Sequence, residues 1–180
     1  MIKRRIIGLG VLAVLLASAW LATTRPRASN LPGGGDKGGR VGPPSSASRR
    51  PLPPHHLIDL NRQGVAPEEL SRGRVLLVFM TTSCEPCVEE ARIISRLADA
   101  PPPGLKVFGV SFERTAQVAT FVKEFDLKFA MLTDPNAELI RALDLHHFPT
   151  AVLVEDGLVA ASWRGVTRDE ADLYRQLGAH

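Results

Sequence analysis

Residues 73–92 read GRVLLVFMTTSCEPCVEEAR, and this stretch decides the fold. Arg74 to Met80 is a continuous apolar run with β-branched and aromatic members, as a central strand buried on both faces requires. From Glu85 to Ala98 the period changes. Val88, Ala91, Ile94, Leu97 and Ala98 fall on one face of a helix, with Glu89, Arg92 and Arg96 elsewhere. Cys84 and Cys87 stand at the junction. A thiol there meets the unpaired N–H groups and the positive end of the helix dipole, which favour thiolate and lower the pKa from the free value of about 8.5. Two intervening residues bring Cys87 within bonding distance once the first turn forms. Cys84, at the helix start, should be exposed and attack a disulfide, while Cys87, inside the turn, should be sheltered and resolve the mixed disulfide. Pro86 suits the first turn because its missing N–H has no partner to lose.

The rest of the folded part continues the alternation. Leu57 to Leu60 reads as a short strand and Pro67 to Leu70 as one helical turn. Leu105 to Phe112 is the next buried strand. Thr115 to Phe125 is a helix with Val118, Phe121, Val122 and Phe125 inward, and Asn136 to Leu143 is another, opened by Asp134-Pro135. Thr150 to Glu155 and Leu158 to Trp163, joined at Asp156-Gly157, form a hairpin, and Asp169 to Leu177 closes as a helix. That order implies an α/β sandwich with a mixed sheet.

The 180 residues allow one domain of ordinary size with an appendage. Two Cys exclude a disulfide framework and an all-Cys zinc site. The net charge of +3 is unevenly spread: residues 1–54 hold nine Lys/Arg and one acid, leaving 13 basic and 18 acidic residues for 55–180. An acidic domain on a basic tail has no electrostatic footprint for nucleic acid.

Residues 1–22 are address. Lys3, Arg4 and Arg5 precede the uncharged run Ile6 to Ala22, which reads either as a signal anchor or as a signal peptide cleaved after Ala17-Ser18-Ala19. Its 17 residues, at about 1.5 Å each, just span a thinned hydrocarbon core as a transmembrane helix. Trp20 would sit at the far interface, with Arg25 and Arg27 stopping the segment. Both alternatives place the domain outside the cytoplasmic membrane: tethered by a single pass, or released to the periplasm. Residues 23–54, rich in Pro, Gly, Ser and Arg without apolar periodicity, read as a disordered linker. Residues 55–180 are the folded domain.

The central stretch resembles the active-site segment of the TlpA/ResA-like branch of the thioredoxin superfamily, membrane-anchored thiol–disulfide oxidoreductases, and Cys84-Glu85-Pro86-Cys87 is similar to the ResA motif. KVFGVSFE, residues 106–113, resembles the family's next strand, FAMLTDPNAELIRALDL, residues 129–145, its insertion, and His147-Phe148-Pro149-Thr150 its cis-proline loop. Trp163-Arg164-Gly165, with Asp156-Gly157, resembles its final hairpin. The likeness covers about residues 55–178 and departs at Ser83, where the family usually has Trp, and at Met80. It implies a thioredoxin-like three-layer sandwich with Cys84, Cys87, Glu90 and Pro149 as catalytic residues. Glu90 would be a buried carboxyl of raised pKa exchanging a proton with Cys87, and the backbone beside a cis Pro149 would pair with substrate. Glu85, Pro86, His147, Phe148 and Thr150 would line the rim, with Glu85 tuning the thiols by its charge; His146 and Trp163 are surface and packing residues. No metal or other cofactor is expected beyond the redox-active disulfide. The family's Cys-Glu-Pro-Cys members act as reductants, which implies a protein disulfide substrate such as apocytochrome c and a membrane thiol electron donor. Two alternatives stay open: a copper- or haem-handling module using Cys84, Cys87 and His147, and a thiol peroxidase, with Thr81 three before Cys84 but Leu77 where peroxiredoxins have proline.

Overall fold

The computed structural model describes residues 49–178. The expected anchor at 1–22 and nearly all of the expected linker lie outside them. Among the described residues no helix is long and apolar enough to cross a membrane. In chain order the elements are β1 (Arg50–Pro51), α1 (Pro67–Ser71), β2 (Arg74–Phe79), α2 (Glu85–Asp99), β3 (Leu105–Ser111) and α3 (Thr115–Glu124). There follow β4 (Ala130–Thr133), α4 (Glu138–Ala142), β5 (Thr150–Glu155), β6 (Leu158–Arg164) and α5 (Glu170–Gly178).

The strands form one six-stranded sheet in the order β1-β6-β5-β2-β3-β4. β2, β3 and β4 are parallel, whereas β5 runs antiparallel to β2 and β6 antiparallel to β5. As expected for a strand buried on both faces, β2 splits its side chains between two cores. Leu76 and Val78 pack with Ala91, Ile94 and Leu97 of α2 and with Leu173 and Leu177 of α5. Val75, Leu77 and Phe79 pack on the other face with Leu70, Leu139 and Ile140. Helices thus cover both faces, the thioredoxin-like three-layer arrangement.

Register brings the site together. Phe79, at the end of β2, pairs with Thr150, at the start of β5, while Arg74 pairs with Glu155. The segment leading into Cys84 and the loop holding Pro149 therefore lie at the same end of the sheet. The Asp156-Gly157 turn lies at the other end, with both residues at positive φ, as a two-residue hairpin turn of this hand needs.

Three details differ from the sequence expectations. The linker was expected to run to Pro54, but Arg50–Pro51 pair with Val159 and Leu158, because the edge of β6 has free backbone groups to satisfy. Leu57–Leu60 is not a strand: Ile58 alone bridges, to Gly64 and to Thr133. Residues 130–133 of the insertion-like stretch form the edge strand β4 beside β3. Gly109 of β3 permits that packing, since a Cβ there would collide with Met131 Sδ and with the Phe129 ring.

Candidate active site

β2 hands its chain to the site through a braced loop. The Met80 N–H donates to Val110 O at 3.0 Å. Two residues on, the Thr82 N–H and hydroxyl donate to the Glu113 carboxylate at 2.6 and 3.0 Å, and the Ser111 hydroxyl adds a third bond at 3.1 Å. Cys84 then caps α2 in extended conformation (φ −94°, ψ 114°), with Glu85 and Pro86 opening the helix. Its Sγ accepts the Cys87 N–H at 3.2 Å. The same N–H also donates to Cys84 O at 2.9 Å, so the sulfur shares a first-turn donor and sits at the helix N-terminus, where negative charge is favoured.

The two cysteines form a disulfide with Cα atoms 5.1 Å apart. Cys84 is half-buried, whereas Cys87 is fully buried. The asymmetry is the one an attacking and a resolving thiol need. The Phe148–Pro149 peptide bond is cis, and Phe148 O lies 3.9 Å from Cys84 Sγ although 64 residues separate them. Two bonds hold that loop: Gly165 N–H to Pro149 O at 2.9 Å, and the Thr150 hydroxyl to His147 O at 2.7 Å. Thr150, expected on the rim, is itself buried and secures the loop from within. Glu85, Pro86 and His147 are exposed, and Phe148 is half-buried beside Cys84. Trp163 is core, its indole N–H donating to Gln176 at 2.6 Å. His146 pairs with Asp144 at the surface.

Glu90 is 1% exposed and lies three residues after Cys87 on the same helix face. Burial pushes its carboxyl above the ordinary value; hydrogen bonds from Thr167 oppose the shift, and the nearby Glu89 charge adds to it. Those bonds are the Thr167 N–H at 2.7 Å and its hydroxyl at 2.9 Å. A buried carboxyl held nearer its protonated form, one turn below a buried thiol, can give or take a proton where water does not reach.

Sequence reasoning missed Thr167 and Glu113. Nothing local to Thr167 marks it, because its importance lies 77 residues away in Glu90. Glu113 had a signal: β2 and β3 are parallel, so the loops at their C-terminal ends must share one edge of the sheet. With Cys84 and Cys87 joined, no group of three or more His, Cys, Asp or Glu side chains among the described residues could hold a metal ion.

The Redoxin family model matches residues 46–177. The chain belongs to the redoxin family. It is 27% identical over 122 residues to the thiol-disulfide oxidoreductases ResA of Bacillus thuringiensis subsp. konkukian and of Bacillus cereus, covering 66% of this chain and 70% of each relative. Among solved structures it resembles StoA from Bacillus subtilis (TM-score 0.57, 22% identity, 67% of this chain and 92% of that one). It also resembles a secreted Mycobacterium tuberculosis disulfide oxidoreductase homologous to E. coli DsbE (TM-score 0.60, 20% identity, 69% and 95%). Within that family the sequence likeness is to thiol–disulfide oxidoreductases, and in this chain Cys84 and Cys87 are joined as a disulfide.

Proposed function

We propose that this domain reduces disulfides in partner proteins outside the cytoplasmic membrane. The observation that carries the reading is the placement of a half-exposed Cys84 against the Phe148 carbonyl, with Cys87 and Glu90 buried behind it. In the dithiol state the Cys84 thiolate attacks one sulfur of the substrate disulfide. A Cys84–substrate mixed disulfide forms, and the first substrate sulfur leaves as a thiolate and takes up a proton. Cys87 gives its proton to the Glu90 carboxylate, and its thiolate displaces the second substrate sulfur from Cys84. Two electrons pass to the substrate and the Cys84–Cys87 disulfide remains, to be reduced again by an external dithiol.

The uncharged run Ile6 to Ala22 behind three cations supports export, by anchor or by cleaved signal. The Cys-Glu-Pro-Cys sequence supports the reductive direction through its likeness to the ResA motif. Together they favour apocytochrome c, whose haem-attachment cysteines must be reduced before ligation, as the substrate, and a membrane thiol carrier as the electron source. The test is trapping: a Cys87→Ala full-length chain expressed in a host that matures c-type cytochromes should hold its substrate as a mixed disulfide through Cys84. A catch without any c-type apocytochrome would overturn the substrate; no mixed disulfide at all would overturn the mechanism.

A further inference from the structure

Among the described residues only Phe112 and Tyr174 are large hydrophobic side chains left substantially exposed, each 42%. Tyr174 is accounted for, since its hydroxyl donates to Ala100 O. Phe112 has no polar tip to explain it. A single exposed Phe is ordinary; the surroundings of this one are not. Its ring stands 5.8 Å from that of Phe148, centroid to centroid, at an interplanar angle of 48°. Phe148 is the residue whose carbonyl lies 3.9 Å from Cys84 Sγ. The two rings therefore make an aromatic ledge that starts from the residue whose backbone lies against the reactive sulfur.

The ledge is held in place. Phe112 stands between Ser111 and Glu113. The Glu113 N–H donates to Ser111 Oγ at 3.2 Å and the Ser111 hydroxyl returns a bond to the Glu113 carboxylate. The same carboxylate grips Thr82, two residues before Cys84. Backbone braced on both sides of Phe112 fixes where its side chain leaves the chain, so less entropy is lost when a partner meets it. Ser83 and Glu85, on either side of Cys84 in the chain, are exposed and polar, so Phe112 is the large apolar side chain this end of the sheet offers to solvent.

We infer that Phe112 and Phe148 form the specificity surface of this enzyme, taking a large apolar side chain that lies within about three residues of the substrate's half-cystine. The inference rests on the exchange mechanism proposed above, which fixes one substrate sulfur at Cys84. From that anchor an extended segment advances roughly 3.3–3.6 Å per residue. Two or three residues then carry it across Phe148 onto Phe112. Burying an aromatic or aliphatic side chain against the pair removes apolar area from water on both partners, which a polar side chain at that position would not do.

The test uses the full chain and three oxidants: hydroxyethyl disulfide, a cyclic disulfide peptide with Leu two residues from one cysteine, and the same peptide with Ser there. The wild type should favour the Leu peptide about tenfold in kcat/KM. Phe112→Ser should remove that preference through KM and leave the other two oxidants within twofold; Phe112→Leu should retain most of it. A Phe112→Ser chain that keeps the preference overturns the inference. So does one that changes all three rates alike, whether slowed because the loop positions Cys84 or quickened because this chain's own N-terminal segment or a second copy covers the ring. A wild type that reacts with hydroxyethyl disulfide yet shows no peptide preference sinks the inference alone. A wild type that reduces none of the three sinks the exchange mechanism beneath it.

Discussion

Glu90 and Asp134 are both carboxylates and each is 1% exposed, but the chain provides for them differently. Asp134 accepts three backbone N–H groups, from Glu138, Leu139 and Ile140 at 2.9, 3.0 and 3.2 Å, which are the orphan donors at the start of α4. Its two oxygens are taken up in holding a local turn. Glu90 accepts one N–H and one hydroxyl, both from Thr167. That is too little to offset its burial, and its pKa rises. Burial alone does not mark a functional acid. The supply of donors separates a carboxyl group committed to a local turn from one left able to change its proton near a thiol.

The largest effect that would sharpen this contrast is on stability. Asp134→Ala should cost about 3 kcal/mol, since it strands three N–H groups, those of Leu139 and Ile140 buried, with the rate of disulfide exchange per folded molecule unchanged. Urea unfolding beside single-turnover kinetics measures both, and an equal loss of exchange rate would break the distinction. Glu90→Gln should do the reverse. It keeps the fold but slows release of the mixed disulfide roughly ten- to hundredfold, the range for losing a general acid–base group.

The pH dependence follows from the direction of the Glu90 shift. A pKa raised in the folded state means that the native protein holds this proton more tightly than the unfolded chain. The stability so gained is complete below the ordinary carboxyl value of 4.5 and is lost as pH rises through the folded pKa. Unfolding free energy followed from pH 4 upward should therefore decline less in Glu90→Gln than in the wild type; parallel curves would contradict the raised pKa. Thr167→Val, which removes one of the two opposing bonds, should destabilise by about 1 kcal/mol and move the Glu90 titration further upward, visible by carboxyl NMR. At the small end, Arg96→Ala breaks only the exposed pair with Glu170 and should leave midpoint and exchange rate unchanged.

Much of this was legible in the chain because it is local. The change of period between Met80 and Glu85 names a strand, a turn and a helix within 20 residues, and the cysteines fall at the turn. Glu90 could be placed by the family likeness and by its distance of three from Cys87. What escaped depends on distant partners. β4 is four residues long, with a burial pattern that does not alternate, and becomes a strand only because β3 lies open beside it. Ile58 makes a bridge because Thr133 exchanges hydrogen bonds with it at 2.8 and 3.0 Å, whereas its neighbours Leu57 and Asp59 bond within the local turn, to Val65 and Gln63. Phe112 follows a buried strand, where the pattern cannot tell the last inward residue from the first outward one.

The pairing of Phe79 with Thr150 has a consequence for biosynthesis. The two cysteines are separated by three positions, so an external oxidant can join them in a nascent polypeptide as soon as both sulfurs have emerged. The cradle that recognises a client requires residues 64 positions further on and a closed antiparallel ladder, whose loop entropy must be overcome first. Reactivity therefore precedes discrimination during synthesis, and an immature chain is an indiscriminate thiol until its C-terminal third has docked.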